Sequence, residues 1–302
     1  MRLTFHTLDV FTQSRFGGNP LAVVLDADRL DSGQMQTIAR EFNLSETVFV
    51  LRPQNPTHSA RLRIFTPAAE LPFAGHPTVG TAVLLAELRM PGMGGSRDAI
   101  VALEETIGTV RVGVRMRPGQ AAFAEFDAPR LPDDLGGVPP VDDLAAAVGL
   151  IPSEIGFENH KPTRFSAGLP YTFVPVRSLE AMQRVRSVIS RWDRAFSGGG
   201  AAYVYCRETR SAAHHFHARM FDPDHGVPED PATGSAAAAF AAVIQRFDDP
   251  ASGDHRYIIE QGFEMQRPSL IHLALEIGPS RRLETVRIGG HAVTVMSGSI
   301  EV

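Results

Sequence analysis

GHPTVGTAVLL at residues 75–85 and EDPATGSAAAA at residues 229–239 decide how this chain is read. Each places a Pro two residues after a Gly or a Glu, then a small-residue turn, then an uninterrupted apolar run. That order predicts a helix opened by proline, whose missing N–H would have no helical partner there. The two stretches are also the same stretch written twice, 154 residues apart. Upstream of them, RIFTPAAELP from Arg63 answers to RMFDPDHGVP from Arg219, an offset of 156. Further upstream, GNPLAVV from Gly18 answers to GLPYTFV from Gly168, an offset of 150. Three collinear matches describe one long duplication, with each copy the size of a domain.

Both copies read as strands around one strong helix. In the first, Leu3–Phe11, Leu21–Leu25, Glu46–Leu51 and Ala60–Phe65 are extended. Gln34–Phe42 is helical, and a second helix runs from Pro77 to about Leu88, stopping before Met90-Pro91-Gly92. Strands Val101–Glu104, Thr109–Met116 and Ala121–Phe126 close the copy. In the second, Tyr203–Cys206 and His214–Phe221 are strand-like and Pro231 opens a helix through Ile244. Tyr257–Gln261, Leu270–Ile277 and Val286–Ile300 follow as a meander. A short helix at Asp142–Gly149 and the Pro/Gly-rich linker Leu131–Pro140 mark the join. The class is α+β, with antiparallel strands curling round a helix in each lobe. No GxGxxG follows a first strand, which disfavours a dinucleotide-binding sheet.

Composition removes several function classes. The 302 residues are 43% hydrophobic and 21% charged, with a net charge of −5. This offers no basic face for nucleic acid, and no apolar run nears the roughly 20 residues that span a bilayer. The single cysteine, Cys206, leaves no internal disulfide and no cysteine cluster for a metal. A start without the order of a signal peptide predicts a cytoplasmic protein.

The helix starts are where chemistry is expected. A helix N-terminus exposes unpaired N–H groups and the positive end of the dipole. Two such starts facing one cleft would clamp a carboxylate or an enolate-like intermediate. Asp230 can equally be read as a helix cap. The halves differ at Glu46, whose counterpart by the 154 offset is Gly200. A carboxylate that one copy does without is not needed for the fold, and partial burial before an apolar strand suits it to act as a base. A surface glutamate is the competing reading. His214, His215 and His217 suggest a metal, but no carboxylate or cysteine nearby in sequence completes a set. Asp222-Pro-Asp224 reads as a turn, and Gly198-Gly199-Gly200 lacks the Lys-Ser/Thr of a phosphate loop. Trp192 reads as a packing residue. Arg63 and Arg219 fit a substrate carboxylate or a repeated ion pair equally.

GNPLAVV, EFNLSETVF from Glu41, RIFTPAAELPFAGHPTVG from Arg63 and EDPATGSA together closely resemble the PhzF-like family over essentially the whole chain. The resemblance implies the diaminopimelate-epimerase-like fold, two pseudo-symmetric lobes, a homodimer, and no metal or organic cofactor. Its lobes would be residues 1–128, completed by about 292–302, and 129–291. It implies an isomerase of a small carboxylate such as trans-2,3-dihydro-3-hydroxyanthranilate. The family's catalytic residues fall on Glu46, His76 and Asp230, and its substrate-binding positions on Asn19, Gly75, Thr233, Gly234 and Ser235. The two-cysteine racemases of the same fold do not match, since Ala74 holds the first thiol position. A hydrolase or lyase on the same residues, or a non-catalytic anion-binding protein, are the alternatives.

Overall fold

The computed structural model describes residues 1–90, 95–196 and 200–302. Pro91-Gly92 and Gly198-Gly199, singled out above, lie outside them. The chain divides into two compact units, Met1–Pro129 with Gly289–Val302, and Arg130–Ile288. No helix among the described residues is long and apolar enough to cross a membrane.

The first unit runs β1 (Arg2–Val10), β2 (Asn19–Val24), α1 (Ser32–Phe42), β3 (Glu46–Leu51), β4 (Ala60–Phe65), β5 (Glu70–Leu71), α2 (Gly75–Arg89), β6 (Arg97–Glu105), β7 (Gly108–Met116) and β8 (Ala122–Asp127). β1 pairs with β2, β2 with β3, β3 with β4, β4 with β6, β6 with β7 and β7 with β8. The chain's final strand, Leu283–Glu301, pairs with both β8 and β1 and closes the ring. Of these pairings β2–β3 and β4–β6 are parallel, while β1–β2, β3–β4, β6–β7, β7–β8 and that of β1 with the final strand are antiparallel. Among the described residues this closure pairs both ends of the unit's main sheet, and side chains alternate between its interior and its outside.

α2 fills that interior. It is apolar all round rather than on one stripe, as a helix enclosed on every side must be, and is buried from Gly75 through Ala86. It begins two residues before the proline expected to open it. Gly80 sets its depth: a Cβ there would lie 2.7 Å from both Leu21 Cδ2 and Val10 Cγ2. Gly80→Val is therefore expected to cost about 1–3 kcal/mol by overpacking, read as a lower denaturant midpoint. An unchanged midpoint would show that the helix is not seated so closely. The turn before β2 is equally constrained. Gly18 has φ +64°, and a Cβ would meet Val10 O at 2.3 Å, so the GNP turn needs glycine. On the outside, α1 is capped by Asp31, whose carboxylate accepts from Gln34 N while Asp31 N donates back to Gln34 Oε1. It lays Met35 and Ala39 against Phe49 and Phe65.

The second unit runs β9 (Asp133–Asp134), α3 (Val141–Ala147), β10 (Thr163–Ser166), β11 (Pro170–Pro175), α4 (Leu179–Arg184), α5 (Ile189–Ala195), β12 (Ala201–Cys206), β13 (Phe216–Asp222), β14 (Val227–Asp230), α6 (Gly234–Phe247), β15 (Gly253–Gln261), β16 (Ser269–Ile277) and the start of β17 (Leu283–Glu301). Its pairings repeat the first unit's in kind and order. β10–β11 is antiparallel, β11–β12 parallel, β12–β13 antiparallel, β13–β15 parallel and β15–β16 antiparallel. Helices α3, α4 and α5 cover one side of this sheet, with Trp192 fully buried among Leu144, Val174 and Phe196.

Register corrects two expectations. Leu21 lies opposite Glu46 in the first unit and Tyr171 opposite Ala201 in the second. The counterpart of Glu46 is therefore Ala201, not Gly200: the offset has already drifted to 155 at this strand. Second, α6 starts at Gly234 rather than Pro231. The segment equivalent to the first turn of α2 is here the end of β14 and a loop. The Gln261 side chain explains the difference. It donates to Asp230 O and accepts from Thr233 N, so these backbone groups are satisfied without a helical turn. Asp230 ends β14, and the N-cap position of α6 falls to Thr233.

Candidate active site

In the first unit β3 carries Glu46 at its first residue and α2 carries His76 at its second. Their side chains meet, His76 Nε2 lying 3.4 Å from Glu46 Oε2, without hydrogen-bond geometry. His76 is 4% exposed, and burial pushes its imidazole down to about 3. At neutral pH the contact is thus between a carboxyl group and an uncharged ring, not an ion pair. Gly75 is buried beside it, and Asn19 is fully buried at the start of β2 opposite Val10. The first helical bond of α2 runs from Thr78 N to Ala74 O at 3.2 Å. The N–H groups of Gly75 and His76 precede it and have no partner within the helix, while Pro77 has none to offer.

The second unit gathers Asp230, Thr233, Gly234 and Ser235. Thr233 Oγ1 donates to Asp230 Oδ2 at 2.5 Å, and Gln261 Nε2 reaches Thr233 Oγ1 at 2.9 Å. Ser235 Oγ shares a 2.7 Å hydrogen bond with Tyr171 OH. Tyr203 is wholly enclosed close by. Burial first, then Tyr171 and Asp230, raise its phenol above its ordinary value. Tyr171, Tyr203 and Gln261 were not singled out from the sequence. The repeat held a usable signal for two of them, since Tyr171 and Tyr203 replace Leu21 and Val48 at equivalent strand positions. Gln261 has no local signal at all.

The residues set aside resolve clearly. Arg63 pairs with Glu70 and Arg219 with Glu229, each through two guanidinium nitrogens, so the repeated arginines are structural. The histidines do meet carboxylates, which come from distant sequence. His214 and His217 both bind Glu260, and His217 also meets Glu264, while His215 accepts from Ile258 N instead. Among the described residues no group of three or more His, Cys, Asp or Glu is arranged to hold a metal ion. Cys206 is buried in β12, its Sγ directed at Glu208 O, and burial pushes its thiol up to about 12, far from a reactive thiolate.

Residues 8–298 match the family model described as phenazine biosynthesis-like protein, PhzC-PhzF. An uncharacterised isomerase of Mesorhizobium japonicum is 53% identical over 300 residues, covering 97% of this chain and 96% of that one. The trans-2,3-dihydro-3-hydroxyanthranilate isomerase of Pseudomonas chlororaphis is 36% identical over 299 residues, with 97% of each covered. The crystal structure of a PhzF-family phenazine biosynthesis protein from Bacillus anthracis superposes with a TM-score of 0.89 at 25% identity, covering all of both chains. The chain belongs to the PhzC-PhzF family of phenazine biosynthesis-like proteins, and it is an isomerase with the diaminopimelate-epimerase-like α+β fold.

Proposed function

We propose that the protein shifts a proton and a double bond within a small carboxylate, trans-2,3-dihydro-3-hydroxyanthranilate or a close analogue, with Glu46 as the acid/base. The observation that carries this reading is the placement of Glu46. Its carboxyl stands against an uncharged, buried imidazole at the start of a helix, and the equivalent position in the second unit is alanine. In the proposed step Glu46 takes a proton from a substrate carbon as that C–H bond breaks. The electron pair moves the double bond, and the same carboxyl returns the proton to a second carbon. Nothing else is consumed or released. The negative charge that develops is met by helix-start N–H groups, and His76, uncharged, contributes a hydrogen bond rather than a charge.

On the family pattern, Asp230, Thr233, Gly234, Ser235 and Asn19 serve the same substrate. The resemblance also implies a cytoplasmic homodimer working without a metal or organic cofactor, and these too are proposals. The similarity to the Pseudomonas chlororaphis isomerase supports the choice of substrate.

The test is turnover of trans-2,3-dihydro-3-hydroxyanthranilate in heavy water, followed by mass spectrometry and NMR. An isomer carrying deuterium at a ring carbon is expected. Loss of water or ammonia from the substrate would identify a lyase instead, and tight binding without exchange would identify a binding protein.

A further inference from the structure

Glu105, the last residue of β6, is a buried carboxyl that the mechanism above does not use. It is 8% exposed, and its side chain turns inward to α2, where Oε1 lies 2.8 Å from Thr78 Oγ1. Thr78 Oγ1 is also 2.8 Å from Ala74 O. A threonine hydroxyl has one proton, and the Ala74 carbonyl can only accept. If Thr78 gives its proton to Ala74 O, the contact with Glu105 is a hydrogen bond only when the carboxyl brings the second proton. Glu105 Oε2 has no partner. A buried anion with one oxygen unpaired costs far more than a neutral acid in the same place. Ala74 is the residue before α2 and has no side chain able to cap it, so the Thr78–Glu105 pair acts on the backbone that leads into Gly75 and His76.

We propose that Glu105 is a positioning residue held as a neutral carboxylic acid: it donates to Thr78 Oγ1, Thr78 donates to Ala74 O, and this relay sets the first turn of α2 that presents His76. The relevance to catalysis rests on the function proposed above; the relay itself does not. Burial, which pushes the carboxyl up to about 8, agrees with the proton count. A hydroxyl donated to the carboxylate would pull it down, and burial outweighs that pull. The charged and titratable groups on the surrounding elements are Asp28, Arg61 and Arg63 of β4, Glu70 of β5 and Glu104 of β6 along the same cavity, His76, Glu87 and Arg89 of α2, and Arg111 and Arg115 of β7. Arg63 is paired with Glu70, and Glu104 accepts from Gln54 N and Asn55 N and meets His58. None of them contributes to the proton affinity of Glu105, which burial and Thr78 alone displace. Ionisation leaves Thr78's single proton contested between Glu105 and Ala74 O, and the helix start loosens.

The folded value lies above the ordinary 4.5, so the stability Glu105 contributes is complete below pH 4.5 and is lost as pH rises through about 8.

The experiment combines difference infrared spectroscopy with 15N NMR of the His76 ring on the full chain, from about pH 6 to about pH 10. In the wild type, a protonated-carboxyl band should vanish with a midpoint near 8, and the His76 resonances should move with the same midpoint. Glu105→Gln, whose amide still donates to Thr78, should lack both transitions and keep His76 at its low-pH position. Thr78→Val should keep the band and uncouple His76 from it, which secures the test should Glu105→Gln fold poorly. Absence of the band in the wild type, or a His76 transition that survives in Glu105→Gln, overturns the proposal. In the turnover assay kcat should fall above about pH 8 in the wild type with KM unchanged, and stay flat in Glu105→Gln. A wild type that turns over nothing counts against the substrate reading, and the two spectroscopic measurements still decide the role of Glu105.

Discussion

Glu46→Gln is expected to lower kcat for the isomerisation by about 10²–10⁴, with KM changed little. The amide keeps the shape of the side chain and its neighbourhood with His76 at 3.4 Å, but it cannot accept and return a proton. No neighbour in the first unit takes over the role. An imidazole held at about 3 is a poor base at neutral pH, and Glu105 is bound to Thr78. Deuterium incorporation should disappear in parallel with turnover. A Glu46→Gln protein that exchanges substrate deuterium at the wild-type rate would remove Glu46 from the mechanism.

Glu260→Leu is expected to cost about 3–5 kcal/mol of stability, the usual penalty for removing one partner from a buried charged network. Glu260 is fully buried. It accepts from Arg210 N at 2.9 Å and Ser211 N at 3.1 Å, and it meets His214 Nδ1 at 2.6 Å and His217 Nδ1 at 2.8 Å. Leucine fills the space and leaves every one of those groups without its acceptor. Burial alone would raise the Glu260 carboxyl, but the bonds from His217, Arg210 N–H and His214 outweigh it and hold it at about 2. Burial alone would lower His217, and its bonds to Glu260 and Glu264 raise it above 6.5. Glu260 therefore contributes stability above pH 4.5 that is lost as pH falls through about 2. His217 contributes stability below pH 6.5 that is lost as pH rises through its raised value. The gap between wild type and Glu260→Leu, measured by denaturant titration at several pH values, should be widest between pH 4.5 and 6.5. A gap that does not vary with pH would mean that the effect comes from packing alone.

Local signals carried far into this fold. Glu46–Leu51 and Ala60–Phe65 are strands with the bounds read from their patterns, because the first is a short apolar run and the second a short alternating one. The repeat was visible where backbone geometry leaves little choice, as at Gly18 and Gly80. It was hidden where side chains may trade volume. Phe173, Tyr203, Tyr205 and Phe216 pack around Phe240 in the second unit, where the first has Val23, Val48, Val50 and Ala60 at the equivalent strand positions and Ala86 at the equivalent position of α2. The start of α6 was misplaced because proline after an acidic residue fits both a helix entry and a strand end. What decided between them was Gln261, a partner from another strand. Glu105 and Glu260 were invisible for the same reason, since their importance comes from Thr78 and His217 across the fold. Glu46 and His76 were legible because the family pattern singles them out; their contact was not.

Strand β17 begins in the second unit and finishes in the first, where it lies against both β1 and β8. During synthesis β1 and β8 are thus made well before the strand that lies between them. Until the carboxyl-terminal dozen or so residues are released, two neighbouring edges of the nascent amino-terminal sheet stand exposed to any other extended chain. A truncation that removes residues 289–302 would be felt at β1, far away in sequence. Tags and fusions belong at sites that leave the last strand free to reach its slot.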